Sequence, residues 1–389
     1  MALRRIPVLL LFFVLPAAGV AFASAAAPID PRIFAGRAVG ASASFLVVLR
    51  DDADLSAAAQ IRDRVERIRF VYEALRAQAE VSQRGIRERL SRAGVPFRAH
   101  FLVNMVEVEG SHALARELAA LPEVSSVGAN PRVALAPEPA LSADGLAPRG
   151  DRAAAEVEPN IAKIGATQVW ARGFTGQGIV IGDADTGLAW THPAILGHYR
   201  GTSGGTAVHD YNWHDAIHDA AFGNPCGSDS AVPCDDDGHG TGTAAVAVGD
   251  DGGGNQVGVA PGAKLIACRN MDRGVGTPAR YTECFEWFLA PTDSRGANPR
   301  PDLAPHVVNN SWSCPASEGC TDPNVLEAVV DHVTAAGIFL AFAAGNSGPA
   351  CGTTTEAPGF YASAFAVGAT SQTDDIASFS SRGPATADG

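Results

Sequence analysis

Residues 178–187 read GIVIGDADTG, an apolar run that ends in Asp-Thr-Gly. A run that is apolar throughout predicts a strand buried on both faces, as in a parallel sheet. Thr186 and Gly187 turn the chain directly after the run, so Asp185 is expected at the carboxyl end of the strand. Ligands bind at that edge in open α/β sheets. The segment therefore predicts a parallel sheet with a carboxylate at its functional edge.

Apolar strands and helices alternate through the rest of the sequence after residue 158, with many glycines at the turns. The predicted strands are residues 178–184, 264–269, 306–311, 338–343 and 365–369, and the predicted helices are residues 239–248, 282–289 and 324–336. This alternation predicts an α/β fold with a mainly parallel sheet that is covered by helices on both faces.

The N-terminal part has another pattern. The predicted elements are a strand at residues 45–50, one bent helix or two helices broken near Gly85 at residues 55–93, two strands within residues 97–109, a helix at residues 111–121 and a strand near residues 132–135. The order β-α-β-β-α-β is that of a small ferredoxin-like α+β domain. Residues 136–158 are rich in Ala, Pro, Asp and Gly and predict an exposed linker.

The first 27 residues have the pattern of a secretory signal peptide. Arg4 and Arg5 precede an apolar stretch at residues 6–20, and the small residues of AFASAAA allow cleavage near Ala23 or Ala25. The apolar stretch has about 15 residues, short of the roughly 20 that span a bilayer. We therefore expect a secreted or extracytoplasmic protein that is not held in the membrane after signal removal, with a retained anchor as the alternative.

Charge and cysteine content narrow the function further. The formal net charge of −13 argues against nucleic-acid binding through phosphate attraction. An exported chain with seven cysteines is expected to form disulfides. Pairing of neighbours would join Cys226 to Cys234, Cys268 to Cys284 and Cys314 to Cys320, with Cys351 left over. The sequence does not fix this connectivity.

An imidazole and a carboxamide complete a candidate site with Asp185. His239 lies in DDDGHGTGT (residues 235–243) at the start of a predicted helix, and Asn346 lies in AAGNSG (residues 343–348) just past a predicted strand. A carboxylate can hold a histidine in the tautomer that accepts a proton from a serine hydroxyl. An amide can donate a hydrogen bond to a developing oxyanion. The three motifs in this order predict the chemistry of a serine protease.

Other carboxylates lie close to this site in the sequence. Asp183 precedes the turn and is expected to be packed or hydrogen-bonded. The run at residues 235–237 is expected to be a solvated loop, and contact with a calcium ion is the alternative.

These motifs resemble the subtilisin-like serine proteases, or subtilases. Within that family, LAWTHPAILGHYRG (residues 188–201) and VVNNSWS (residues 307–313) resemble the bacillopeptidase F branch. The resemblance implies a domain order of signal peptide (residues 1–25), inhibitor-like propeptide domain (residues 41–136), linker with a processing region (residues 137–157) and catalytic domain (residues 158–389). The propeptide would act as a folding chaperone and intramolecular inhibitor that leaves its C-terminus in the active-site cleft.

The resemblance also implies the roles of individual residues. Asp185 and His239 would be triad members, Asn346 the oxyanion donor, and Asn310, Ser311 and Trp312 part of the strand that binds substrate and forms one wall of the specificity pocket. Peptides or proteins would be the substrates of a monomeric enzyme. No cofactor or metal would be required for the chemistry, although structural calcium is possible.

Two departures from the family pattern affect the site. Gly242 replaces the second histidine of the usual HGTH motif, which concerns local packing rather than catalysis. The segment between Asp185 and His239 is longer than in the shortest family members, and it holds His198, His209, His214, His218, Cys226 and Cys234. This cluster suggests either a metal site or a disulfide-bonded surface loop.

The GTSxAxP segment that carries the family's nucleophile is absent from the sequence, which ends at Gly389. Ser203 in Gly201–Gly204 is only a partial match, because it lies between the acid and the base. We therefore expect that the sequence stops before the nucleophile and that this chain alone is inactive. The alternative is a non-catalytic pseudoprotease that binds peptides in the same cleft.

Overall fold

The computed structural model describes residues 26–38, 40–135, 157–204, 206–320 and 326–385. The predicted signal peptide, residues 1–25, lies outside these ranges, as does the predicted linker apart from Val157 and Glu158. Among the described residues, no helix is both long enough and apolar enough to cross a membrane.

The N-terminal unit, residues 26–135, is built on an antiparallel sheet. Its elements are β1 (Ser42–Leu49), α1 (Arg64–Ser82), α2 (Arg84–Ala93), β2 (Phe97–His100), β3 (Met105–Ser111), α3 (His112–Ala119), β4 (Val124–Ala129) and the short β5 (Val133–Ala134). The sheet order is β2-β3-β1-β4, and all neighbouring strands are antiparallel. This topology is the ferredoxin-like arrangement that the sequence predicts.

In this unit one open alternative of the prediction is decided, and one strand assignment is wrong. The helical segment forms two helices that meet at Gln83, two residues before Gly85, and the buried Gln83 amide donates a hydrogen bond to the His100 carbonyl at 2.7 Å. The fourth strand of the sheet is β4. The prediction that the strand near residues 132–135 completes this sheet is therefore wrong. β5 instead leaves the unit and pairs with a strand of the C-terminal unit.

The C-terminal unit, residues 157–385, contains the parallel sheet. Its strands are β6 (Val180–Asp185), β7 (Thr202–Ser203), β8 (Thr206–Ala207), β9 (Trp213–Asp215), β10 (Lys264–Arg269), β11 (Val275–Gly276), β12 (Val307–Asn310), β13 (Phe339–Ala343) and β14 (Phe365–Val367). The main sheet has the order β14-β13-β12-β6-β10-β9, and every neighbouring pair is parallel. The α/β prediction is thereby confirmed. β9 was not predicted, because its three residues lie in a polar stretch without an apolar run.

Helices cover both faces of this sheet. They are α4 (Pro159–Lys163), α5 (Ala166–Trp170), α6 (Pro193–Leu196), α7 (His239–Val248), α8 (Pro278–Leu289) and α9 (Glu327–Ala335). On one face, Phe288 and Val330 from α8 and α9 belong to one buried cluster with Leu340 of β13. On the other face, Val248 of α7 packs in a cluster with Leu265 of β10. This double cover explains why the strands are apolar along most of their length.

Three disulfides are formed between sequence neighbours. They join Cys226 to Cys234, Cys268 to Cys284 and Cys314 to Cys320, and Cys351 is free and exposed. The predicted pairing is confirmed. The Cys268–Cys284 bridge ties β10 to α8, and both of its cysteines are fully buried.

Removing the Cys268–Cys284 bridge should lower stability markedly. A disulfide that closes a loop of about 15 residues stabilises a fold by roughly 3 kcal/mol in the chain-entropy account. We expect the Cys268→Ala/Cys284→Ala variant to unfold at a clearly lower Tm than the wild type in differential scanning calorimetry. Cys351→Ala is the matched control and should leave Tm unchanged. Equal Tm values for the two variants would contradict the prediction.

Candidate active site

A carboxylate and an imidazole meet at the carboxyl edge of the parallel sheet. Asp185 is the last residue of β6 and is fully buried, and His239 is the first residue of α7. Nδ1 of His239 lies 2.7 Å from Oδ1 of Asp185. The side chain of His239 keeps 23% of its surface exposed, so part of the side chain can be reached from solvent.

Small residues allow α7 to begin this close to β6. A Cβ on Gly240 would lie 2.4 Å from the carbonyl oxygen of Gly187, which leaves no room for any side chain. Gly238, directly before the helix, has a φ of 101° that favours glycine. Gly242 is different, because a Cβ there would meet no atom within 4 Å. The departure from HGTH is therefore not required by packing at that position.

Asp235 fastens the start of α7 to the end of β6. Its Oδ1 accepts hydrogen bonds from Gly238 N at 2.8 Å and from Thr186 Oγ1 at 2.9 Å, and its Oδ2 accepts one from Thr241 Oγ1 at 2.6 Å. The Thr186 hydroxyl in turn accepts a hydrogen bond from Gly240 N at 2.9 Å. These hydrogen bonds fix the end of β6 and the start of α7, which carry the candidate acid and base.

The expectation of a solvated loop at residues 235–237 is therefore wrong for two of its three residues. Asp236 forms an ion pair with Arg269 at 2.8 Å, and both side chains are fully buried. Asp237 is exposed, as expected. The sequence could not reveal this arrangement, because Arg269 lies 33 residues away at the end of β10.

Burial and nearby charges shift the pKa values of the titratable groups in the site. The hydrogen bond that His239 donates to Asp185 raises the pKa of His239, and burial opposes that rise. Burial raises the pKa of Asp185, against the hydrogen bond with His239. Burial, reinforced by the charge of Asp185, also raises the pKa of Asp183 well above its usual range. The pair of Asp185 and His239 can thus hold the imidazole as a base, with a carboxylate ready to stabilise its protonated form.

The other predicted site residues surround the same sheet edge. Asn346 follows the end of β13 and is exposed. The Asn310 side chain is buried, and its amide donates to the carbonyls of Val308 and Ala341 at 3.2 Å each. Ser311 Oγ accepts a hydrogen bond from the amide of Asn309 at 3.1 Å. Asn310 therefore ties neighbouring strands together through its side chain.

Trp312 lies in the core rather than on an open wall. It is 3% exposed and stacks on Tyr281 with ring centroids 3.8 Å apart. Val133 of β5 belongs to the same buried cluster. The aromatic pair therefore belongs to the buried core that Val133 of β5 also joins.

The clustered histidines of the segment between Asp185 and His239 do not all meet at one partner. The four residues of that predicted cluster are His198, His209, His214 and His218. Nε2 of His214 and Nε2 of His218 lie 2.8 and 2.9 Å from the Glu283 carboxylate, whereas His209 contacts the Tyr199 hydroxyl at 3.0 Å. Among the residues described here, no group of three or more His, Cys, Asp or Glu side chains is placed to hold a metal ion. Cys226 and Cys234 form a disulfide in this segment, which favours the bridged surface loop over a metal site.

The end of the N-terminal unit runs beside the candidate active site. Val133–Ala134 pairs antiparallel with Val275–Gly276, and Leu135 N donates to the Gly274 carbonyl at 2.7 Å. A Cβ on Gly274 would lie 3.5 Å both from the Leu135 side chain and from the carboxylate of Asp237, two residues before His239. The tail thus approaches the loop that carries the candidate base.

Side chains of the C-terminal unit also bind backbone of the N-terminal unit. Glu286 of α8 accepts a hydrogen bond from Leu102 N at 2.8 Å and contacts Nδ1 of His100 at 3.2 Å. His332 of α9 donates from Nδ1 to the Leu102 carbonyl at 2.6 Å, and its Nε2 lies 3.2 Å from Asp52. Sequence analysis did not find these contacts, because the partners are far apart in the chain and belong to no motif.

Known proteins share this fold and these motifs. The profile of the subtilase family (Peptidase S8) matches residues 176–389, more than half of the chain. Bacillopeptidase F of Bacillus subtilis (strain 168) is 35% identical over 293 residues, which are 74% of this chain and 19% of that protein. Subtilisin Savinase of Lederbergia lenta is 30% identical over 226 residues, 57% of this chain and 67% of that protein.

The structural comparison agrees with the sequence comparisons at the level of the fold. The epidermin leader peptide processing serine protease (EpiP) of Staphylococcus aureus superposes with a TM-score of 0.57 at 12% identity, over 87% of this chain and 72% of that chain. The chain spans about a fifth of the length of bacillopeptidase F. Its parallel sheet, its Asp-Thr-Gly and His-Gly-Thr motifs and these matches together show that the chain belongs to the subtilase family of serine proteases.

Proposed function

We propose that the complete protein is a secreted serine endopeptidase precursor that cleaves peptide bonds with an Asp/His/Ser triad. The contact of 2.7 Å between Asp185 and His239 carries this proposal. With its Nδ1–H donated to the carboxylate, the imidazole presents an unprotonated Nε2, which accepts the proton of a serine hydroxyl as that hydroxyl attacks the peptide carbonyl. Asp185 then stabilises the imidazolium, and Asn346 donates to the oxyanion. These steps use side chains alone and need no cofactor.

The nucleophile of this proposal is a serine outside the described residues. Within those residues, no serine hydroxyl is hydrogen-bonded to His239, and Ser203 lies in the β7–β8 hairpin. The much greater length of bacillopeptidase F supports a further segment in the complete protein. Export to an oxidising compartment is supported by the three disulfides.

The N-terminal unit is proposed to be an inhibitory propeptide that ends near residue 136. Antiparallel pairing of β5 with β11 is the way in which an extended peptide adds to an exposed strand. Val133 is 1% exposed and belongs to the same buried cluster as Tyr281 and Trp312. A bound tail of this kind supports a cleft that receives peptide substrates as extended strands along β11. It also accounts for inhibition, because a tail that fills the cleft excludes substrate.

The 389-residue chain should not react with an active-site serine probe. Without a serine that gives its proton to His239, no hydroxyl is activated for attack on a fluorophosphonate. We expect no labelling by gel fluorescence or intact-mass spectrometry, with Subtilisin Savinase as the positive control. Labelling at a serine that is lost in the His239→Ala variant would contradict the proposed location of the nucleophile.

The contact between His332 and Asp52 should make the interface of the two units sensitive to pH. Burial acts to lower the pKa of His332, but its contacts with Asp52 and with the Leu102 carbonyl together outweigh burial, and the pKa is raised. A raised pKa means that the contact stabilises fully below the ordinary histidine pKa of about 6.5 and is lost as pH rises through the raised value. We expect the Tm difference between wild type and His332→Gln to shrink as pH rises above about 6.5.

Asp52→Asn is the matched control, because it removes the other member of the pair. Its Tm difference from wild type should shrink over the same pH range. Calorimetric scans over the pH range would give all three curves. A Tm difference that stays constant over the range would contradict the role of the charged pair.

A further inference from the structure

A second carboxylate is buried beside the candidate catalytic acid. Asp183 and Asp185 are alternate residues of β6, so both side chains leave the strand on the same face. Their exposures are 1% and 0%. No Lys or Arg of the described residues forms an ion pair with Asp183, which sets it apart from the buried Asp236 with its partner Arg269.

The partners of Asp183 are neutral. The Asn309 amide of β12 donates to its Oδ1 at 2.9 Å. Thr243 Oγ1 of α7 lies 3.4 and 3.5 Å from its two oxygens and 3.4 Å from Oδ2 of Asp185. The charged groups that act on Asp183 are Asp185 and Asp235, both negative, and the imidazole of His239.

If both carboxyl groups are ionised, the contacts around Thr243 lack one hydrogen-bonding proton. Thr243 has a single hydroxyl proton, and the Gly240 carbonyl already lies 3.0 Å from its Oγ1. Two buried carboxylates would then face the same threonine oxygen with one imidazole to balance them. Like charges at such a site keep one group protonated. Asp185 accepts hydrogen bonds from the Thr186 N–H and the His239 N–H, both at 2.7 Å. Asp185 is therefore the member of the pair that stays ionised.

We propose that Asp183 is a positioning residue, a neutral carboxylic acid that donates its own O–H to Thr243 Oγ1, so that the single Thr243 hydroxyl proton is left for the Gly240 carbonyl and Asp185. The Asn309 amide binds the carbonyl oxygen of this acid. With Asp183 neutral, the charged carboxylate in contact with the imidazole of His239 is Asp185. A second buried charge would favour the imidazolium and reduce the fraction of His239 that can accept a proton near neutral pH.

The geometry of the acid pair is independent of turnover, whereas its importance for catalysis rests on the proposed function. The test therefore measures protonation and hydrogen bonding in the 389-residue chain and not activity. Failure of the proposed protease function would leave its readouts unaffected.

Asp183→Asn tests the charge, because an amide has the shape of a neutral carboxyl group and can still donate to Thr243. We expect the pKa of His239, followed by NMR, to change by less than about 0.3 units. If Asp183 is ionised, the substitution removes a nearby negative charge, and the pKa of His239 should fall by about one unit or more. That fall would overturn the proposal.

Thermal stability gives a second measure of the same proton. A carboxyl group that takes up a proton on folding stabilises the fold less as pH rises, whereas an amide does not titrate. The Tm of Asp183→Asn relative to wild type should therefore rise steadily between about pH 5 and pH 8. A difference that does not vary with pH in this range would mean that Asp183 is ionised in the fold, and it would overturn the proposal.

Positioning is tested by the low-field NMR signal of the Nδ1–H of His239. We expect this signal to be kept in Asp183→Asn and to be weakened or lost in Asp183→Ala. If Asp183→Ala does not fold, Thr243→Val serves in its place, because it keeps the side-chain shape and removes the bridging hydroxyl. An unchanged signal in the folded Asp183→Ala variant, or in Thr243→Val, would show that the acid does not hold the pair and would overturn the proposal.

Discussion

The hydrogen bond between Asp185 and His239 is the interaction on which the site depends. It exists because a parallel strand ends at Asp185 and a helix begins at His239 with its backbone pressed against the strand end. Glycine at position 240 makes this approach possible, and the carboxylate of Asp235 fixes it. The carboxylate and the imidazole are thus preorganised by backbone geometry, which is how a fold supplies catalytic orientation before substrate binds.

The C-terminal unit also binds the N-terminal unit at two places. β5 pairs with β11 close to the loop that carries His239, while Glu286 and His332 hold the turn around Leu102. These contacts have different chemistry. Strand pairing holds β5 beside the candidate active site, whereas the contact between His332 and Asp52 connects the interface with protonation.

The sequence predicted the parts of the structure that depend on local pattern. Apolar runs bounded by glycines predicted β6 and β10, and the start of α7 follows from GHGT. Short or polar elements were missed: β9 has no apolar run, and β4 was confused with β5 because both are brief and partly exposed. The disulfide pairing was open in the sequence and is fixed only by the spatial closeness of the cysteines.

The candidate acid and base could be found from motifs, whereas the groups that support them could not. Asp236 looks like a loop residue until Arg269 is placed beside it, and Asp183 looks like an ordinary strand residue until Thr243 and Asn309 surround it. Such partners come from distant elements that meet only in the folded chain. A buried charge is informative because it must be paired or neutralised, and three-dimensional contacts alone show which of the two occurs.

The most direct measurement is the pKa of His239 with and without the carboxylate of Asp185. Asp183→Asn should be the common background, so that the neighbouring carboxyl group cannot ionise in place of the lost one. Because the hydrogen bond to Asp185 raises the pKa of His239, adding Asp185→Asn should lower that pKa by about one unit or more and remove the low-field Nδ1–H signal. An unchanged pKa with the signal retained would contradict the account.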